Sequence, residues 1–122
     1  MEPDTISVTV PNAILFLHDP SFWDFPEPQR EGAVWCNGRG ITMSCLPEMD
    51  GLTDITIGSN SKVQPTNHLI FDGELQTPTR KVRVLMVLGG PILEQTVSNA
   101  RTRVRIWTDG YRDTATVVIG LE

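Results

Sequence analysis

Little in this chain is suited to redox, metal or covalent chemistry. Two cysteines and two histidines occur in 122 residues. Cys36 and Cys45 stand nine apart and His18 and His68 fifty apart, which matches no usual zinc spacing. No metal or cofactor is therefore expected. Long apolar runs are missing as well. The longest unbroken ones, 13–17 and 84–88, fall far short of the roughly 20 residues that span a bilayer, so no membrane association is expected. The start, Met1-Glu2-Pro3-Asp4, lacks the basic and apolar regions of a secretory signal. Together with the sparse cysteines, this makes the cytoplasm the expected compartment. Internal repeats and low-complexity tracts are absent, and 122 residues with 39% hydrophobic content suit a single domain, 1–122.

What is present is a lopsided charge. Residues 1–75 hold eleven acidic and three basic side chains, and residues 76–122 hold four acidic and seven basic, for a net −5. Segregated charge steers partners more than it decides a fold. An overall pI near 4.9 disfavours direct nucleic-acid binding.

Period-two patterning runs through most of the chain. Ile6, Val8 and Val10 alternate with Ser7 and Thr9, and 13–18 follows as a more continuously apolar strand stopped by Asp19-Pro20. Further strands are expected at 33–36, 41–46, 52–57, 68–75 (interrupted at Asp72-Gly73), 81–88, 92–97, 101–108 and 114–121, the last two joined across Asp109-Gly110-Tyr111. The segment 91–102 has too few apolar residues at 3.6 spacing for a helix. About nine to ten short strands predict an all-β, antiparallel β-sandwich or flattened barrel. Asn37-Gly38-Arg39-Gly40 reads as a hairpin turn that sets Cys36 opposite Ile41 and leaves Cys45 four residues out of register. Both cysteines are therefore expected as reduced, small core residues rather than a disulfide.

Catalytic candidates are few. His18-Asp19 is a possible acid and base pair, but neighbours on a strand point to opposite faces, so a surface or partly packed His18 is expected. His68 reads the same way. Ser44 and Ser98 lack an elbow motif, the turn glycines lack a strand-to-helix context, and Glu27 with Glu31 would need a cleft to act together. No catalytic residue is assigned, and a non-enzyme is expected.

Recognition features stand out more clearly. Phe22, Trp23 and Phe25 fall in a proline-rich loop with Asp24 among them and Glu27 and Glu31 behind. Such aromatics either tuck back over an open sheet or form a partner-binding anchor whose flanking acids choose a basic protein. Arg101, Arg103 and Arg105 line one face of a strand, with Lys81 and Arg83 expected to extend the row. They form either a phosphate-binding row or a solvated face paired with neighbouring acids.

The strand Ile6-Ser7-Val8-Thr9-Val10, the apolar strand ending in His18-Asp19, the Trp-containing loop, the Gly-rich hairpin over 32–45 and the terminal strand pair with Arg105-Ile106-Trp107 and 116–121 together resemble the competence protein J family. The resemblance covers most of the chain in pattern. It implies a small cytosolic β-rich inhibitor of a DNA-entry nuclease, or a related immunity protein against a nuclease toxin. It carries over no inhibitory residue, and the arginine row departs from the acids such an inhibitor leads with. An acidic domain of this kind would occupy a basic nuclease groove by imitating phosphate charge, with 1–75 supplying the acids. The rival expectation is a small-ligand binder or small enzyme with a site between the sheets, using His18 or the arginines and marked by a pocket of about 300 Å³ or more.

Overall fold

The fold is that of a computed structural model describing residues 2–110 and 113–122. Ten strands form in chain order: β1 (Asp4–Val8), β2 (Ile14–His18), β3 (Val34–Cys36), β4 (Gly40–Ser44), β5 (Thr53–Ser59), β6 (His68–Gln76), β7 (Lys81–Met86), β8 (Gly90–Thr96), β9 (Arg101–Thr108) and β10 (Thr116–Leu121). Short 3₁₀ turns occupy Pro11–Ala13 and Glu48–Asp50. Among the described residues no helix is long and apolar enough to cross a membrane.

The strands make two five-stranded sheets, β1-β5-β10-β9-β6 and β3-β4-β2-β7-β8. Both are open, so the architecture is a sandwich and the flattened barrel falls away. Pairing is antiparallel except between β5 and β10, which run parallel. Sequence patterning does not reveal that exception, because a parallel neighbour is chosen by the route of the intervening chain.

Alternation decides the faces. Ile55 and Ile57 of β5 line up with Val117 and Ile119 of β10, opposite Leu15 and Leu17 of β2 and Ile41 and Met43 of β4, and all are fully buried. On β9, Thr102, Val104 and Ile106 point into this core while Arg101, Arg103 and Arg105 point out, as the pattern predicts.

Several local expectations need correction. Asp72 and Gly73 do not interrupt β6: Asp72 points outward inside a continuous strand whose irregularity is a bulge at Leu69 and Phe71. Gly90 and Pro91 lie within β8 rather than before it, which an edge strand tolerates because its outer N–H positions are unpaired. The hairpin register holds, with Cys36 opposite Ile41 and both thiols free. Only Cys45 belongs to the core, though. Cys36 is exposed because β3 is a short edge strand. Of the turn expected at Asp109-Gly110-Tyr111, Tyr111 lies outside the described residues.

Strand directions define two ends. At one, Leu46 N–H donates to the Thr114 carbonyl at 2.9 Å, tying the sheets' loops together; Met49 lies in this region. At the other, where β2 finishes at His18, Gln76 N–H donates to the Gly38 carbonyl at 2.9 Å. The irregular segment 20–32 leaves the His18 end and returns to the Met49 end at the start of β3.

Candidate functional site

Because Leu15 and Leu17 face the core, β2 must turn Phe16 and His18 toward the outside of its sheet. An apolar ring there needs cover, and the 20–32 segment supplies it. Phe25 lies on Phe16, ring centroids 4.5 Å apart, and meets the His18 ring edge-on at 5.0 Å. Trp23 meets His18 from another side at 4.9 Å and stands 6.4 Å from Phe25.

Polar contacts pin the segment down. Thr42 Oγ1 of β4 donates to the Pro26 carbonyl at 2.7 Å, and Asn37 Nδ2 to the Asp24 carbonyl at 2.9 Å. Arg39 Nε donates to Asp24 Oδ2 at 2.6 Å. Gly40 is needed beneath them, since a Cβ there would sit 2.9 Å from Phe25 Cδ1 and 3.4 Å from the Asp24 carbonyl oxygen.

His18 is fully buried under this cover. That corrects the expected surface or partly packed histidine, because strand alternation gives a side chain's direction and says nothing of a loop folding over it. Its Nδ1 lies 2.6 Å from the Phe22 carbonyl oxygen, which can only accept, so Nδ1 bears the proton. Nε2 is buried without a hydrogen-bond partner among the described residues.

Asp19 turns away from it and is also buried. Oδ1 accepts from Ser21 N–H at 2.9 Å and Ser21 Oγ at 2.7 Å, and Oδ2 from Thr79 N–H and Oγ1, each at 2.9 Å. Burial pushes its carboxyl up, but these donors outweigh burial and hold it below the ordinary aspartate value. Asp19 thus clamps the root of the loop to the segment after β6. His18 and Asp19 do not bond to each other, so the acid and base pair is not assembled. Among the described residues no three His, Cys, Asp or Glu side chains cluster to hold a metal.

The six loop residues singled out in the sequence therefore divide. Phe25 is packed, Phe22 is half-buried and gives its carbonyl to His18, and Asp24 is exposed in its pair with Arg39. Trp23 remains 61% exposed despite its edge contact with His18. Glu27 and Glu31 are exposed, their carboxylates without an ion pair among the described residues, while their carbonyls accept from Gln29 Nε2 and Trp35 Nε1. Sequence reasoning did not place Phe16, His18 and Arg39 beneath this loop. The outward period-two positions of β2 were the available signal for the first two.

Two of the three arginines in the row are paired with acids, while Arg101 has no ion pair among the described residues. Arg103 forks onto both oxygens of Asp72 at 2.8 Å, and Arg105 reaches Asp72 at 3.4 Å and Glu122 at 3.7 Å. Hydrogen bonding from Arg103 is the main cause that pulls the Asp72 carboxyl down to about 2. Lys81 and Arg83 do not extend the row. They lie in the other sheet and pair with Glu94. Depressions of about 190 and 280 Å³ lie at strand ends, lined by Gly38, Gln76 and Arg101 or by Asn12, Pro47 and Met49, rather than between the sheets.

The order of strands, with β10 inserted beside β5, can be compared with solved structures. The chain shares its fold with ComJ. That protein, described as an inhibitor of the DNA degrading activity of NucA from Bacillus subtilis, superposes with a TM-score of 0.64 over 97% of this chain and 93% of ComJ, at 7% identity. The resemblance read from the strand layout thus holds at the level of fold. A crocagin biosynthetic gene J protein matches with a TM-score of 0.49 and 10% identity over 98% of this chain and 95% of its own. No known protein family and no curated protein matches the chain by sequence.

Proposed function

We propose that this chain is a non-enzymatic, intracellular inhibitor of a nuclease, binding a basic protein surface through the loop that carries Phe22, Trp23, Asp24, Phe25, Glu27 and Glu31. The observation that carries the reading is Trp23, 61% exposed on a segment fastened to the sheet beneath it. A large aromatic displayed on an already ordered loop binds without a further ordering cost, which is what a hot-spot anchor requires. Glu27 and Glu31 add negative charge beside it, suited to a surface built to hold phosphates. The shared fold with ComJ, an inhibitor rather than an enzyme, supports the class of activity. Two free thiols fit a reducing compartment.

The test is DNA degradation by extract of the organism that makes this chain, with purified protein added. Inhibition should saturate at a fixed stoichiometry and weaken as salt rises. Unchanged degradation at every protein concentration and salt overturns the proposal.

A further inference from the structure

Large apolar side chains left in solvent are unremarkable when scattered and informative when gathered. Here Met49 (95% exposed), Leu88 (67%), Leu52 (58%) and Val87 (41%) all lie at the end of the sandwich opposite Trp23. They come from both sheets, since 45–52 joins β4 to β5 and 87–89 joins β7 to β8. The Pro11–Ala13 turn packs against the Glu48–Asp50 turn beside Met49. Asn12 and Ala13 both hold a left-handed backbone, φ 57°, fixed by hydrogen bonds from Ala13 N–H to the Val10 carbonyl and from Cys45 N–H to the Ala13 carbonyl. The two turns wall a depression of about 280 Å³ lined by Asn12, Ala13, Pro47, Glu48 and Met49, open to a partner's side chain.

Charge selects the occupant. The connections 9–13, 45–52, 87–89 and 109–115 carry Glu48, Asp50, Asp109 and Asp113 and, among their described residues, no lysine or arginine; the 20–32 segment that returns to this end brings Arg30 together with Glu31, and the sequence adds Arg112, which leaves carboxylates in excess. Arg39, Arg80, Lys81 and Arg101 belong to the other end. An apolar surface rimmed by carboxylates repels nucleic acid and anionic lipid and attracts a basic polypeptide.

We propose that the Met49 end is a second docking surface, for a positively charged protein segment that seats an apolar side chain beside Met49. It does not depend on the Trp23 loop, so either surface can fail without the other.

A short lysine-rich peptide containing one tryptophan is the probe, titrated into isotope-labelled protein and followed by backbone amide resonances. Shifts should centre on 12–13, 48–52 and 87–89, and a peptide with serine in place of tryptophan should bind at least tenfold more weakly. Met49→Ser with Leu88→Ser should cost at least tenfold in affinity at an unchanged melting temperature. Should the double variant melt early, Met49→Lys alone, at a side chain almost wholly in solvent, must show the same loss. Shifts centred on the Trp23 loop, equal binding of the serine peptide, or self-association of the protein abolished by Met49→Ser would each overturn the proposal, the last by making a second copy the occupant.

Discussion

Neighbouring residues of the aromatic loop do different work, and substitution separates them. Trp23→Ala should leave folding stability within about 1 kcal/mol, since most of the ring is already in solvent, while weakening the partner by about 2 kcal/mol, near thirtyfold. Thermal melts beside inhibition titrations check both halves. A strongly destabilised Trp23→Ala protein whose folded fraction inhibits normally would remove the loop from the interface. Phe25→Ala should behave in the opposite way, losing roughly 3 kcal/mol of stability because it uncovers Phe16 and His18. Asp19→Ala should cost on the order of 3 kcal/mol, since it leaves donors on Ser21 and Thr79 without their charged acceptor. Acid should act through the same carboxylates. The folded-state values of Asp72, about 2, and Asp19 lie below those of the unfolded chain. Their stabilisation is therefore complete above about pH 4 to 5 and is lost as pH falls through the folded values. Asp72→Asn should lower the melting temperature at pH 7 and change it little near pH 2; an equal loss at both would show that the Arg103 fork is not its cause.

At the scale of elements, the β3–β4 hairpin sets two measurable properties. It separates the cysteines, and burial pushes the Cys45 thiol up to about 11 while Cys36 stays in solvent. A thiol reagent at pH 8 should therefore modify Cys36 in the folded protein and Cys45 only after unfolding. Recovery of fewer than two thiols from unfolded, unreduced protein would reveal a bridge. The hairpin also seats the aromatic loop through Gly40. Gly40→Ala sets a methyl 2.9 Å from Phe25 Cδ1, so the ring must shift, at a cost of about 1 to 3 kcal/mol. Tryptophan fluorescence should change with it, because Trp23 and Phe25 share the His18 ring as a support. An unchanged spectrum would mean that Trp23 is held independently of Phe25.

Over the whole molecule, folding partly mixes the charge asymmetry between chain halves: Asp4, Asp19 and Asp24 of the acidic half lie at the same end as Arg80, Lys81 and Arg101. β5 and β10 run parallel while β9 returns between β10 and β6, so where each strand starts or stops decides which acids and bases far apart in sequence meet. Asp72 and Glu94, from opposite halves of the chain, are consumed pairing with Arg103 and Arg83. The net negative field that remains should slow association with a basic partner as ionic strength rises, chiefly through the on-rate. Charge reversal at Glu27 and Glu31 together should reduce that salt dependence and leave the melting temperature within a few degrees. Rapid-mixing kinetics at two salt concentrations would measure it, and an unaltered salt dependence would assign the steering to other acids.

The strands, their facing residues and the Cys36 to Ile41 register were legible in the sequence, because a period of two and a tight turn are local properties written in consecutive residues. The loop of Phe22 to Glu31 was legible as a composition, with its two readings left open. Which strand lies beside β5, that His18 is roofed by Phe25 and Trp23, that Cys36 escapes the core, and that Asp72 sits where two arginines reach it were decided only by tertiary structure. Each depends on segments tens of residues apart meeting in space, and the energy of those meetings, ring packing on Phe16 and donors around Asp19, is absent from any short stretch of chain.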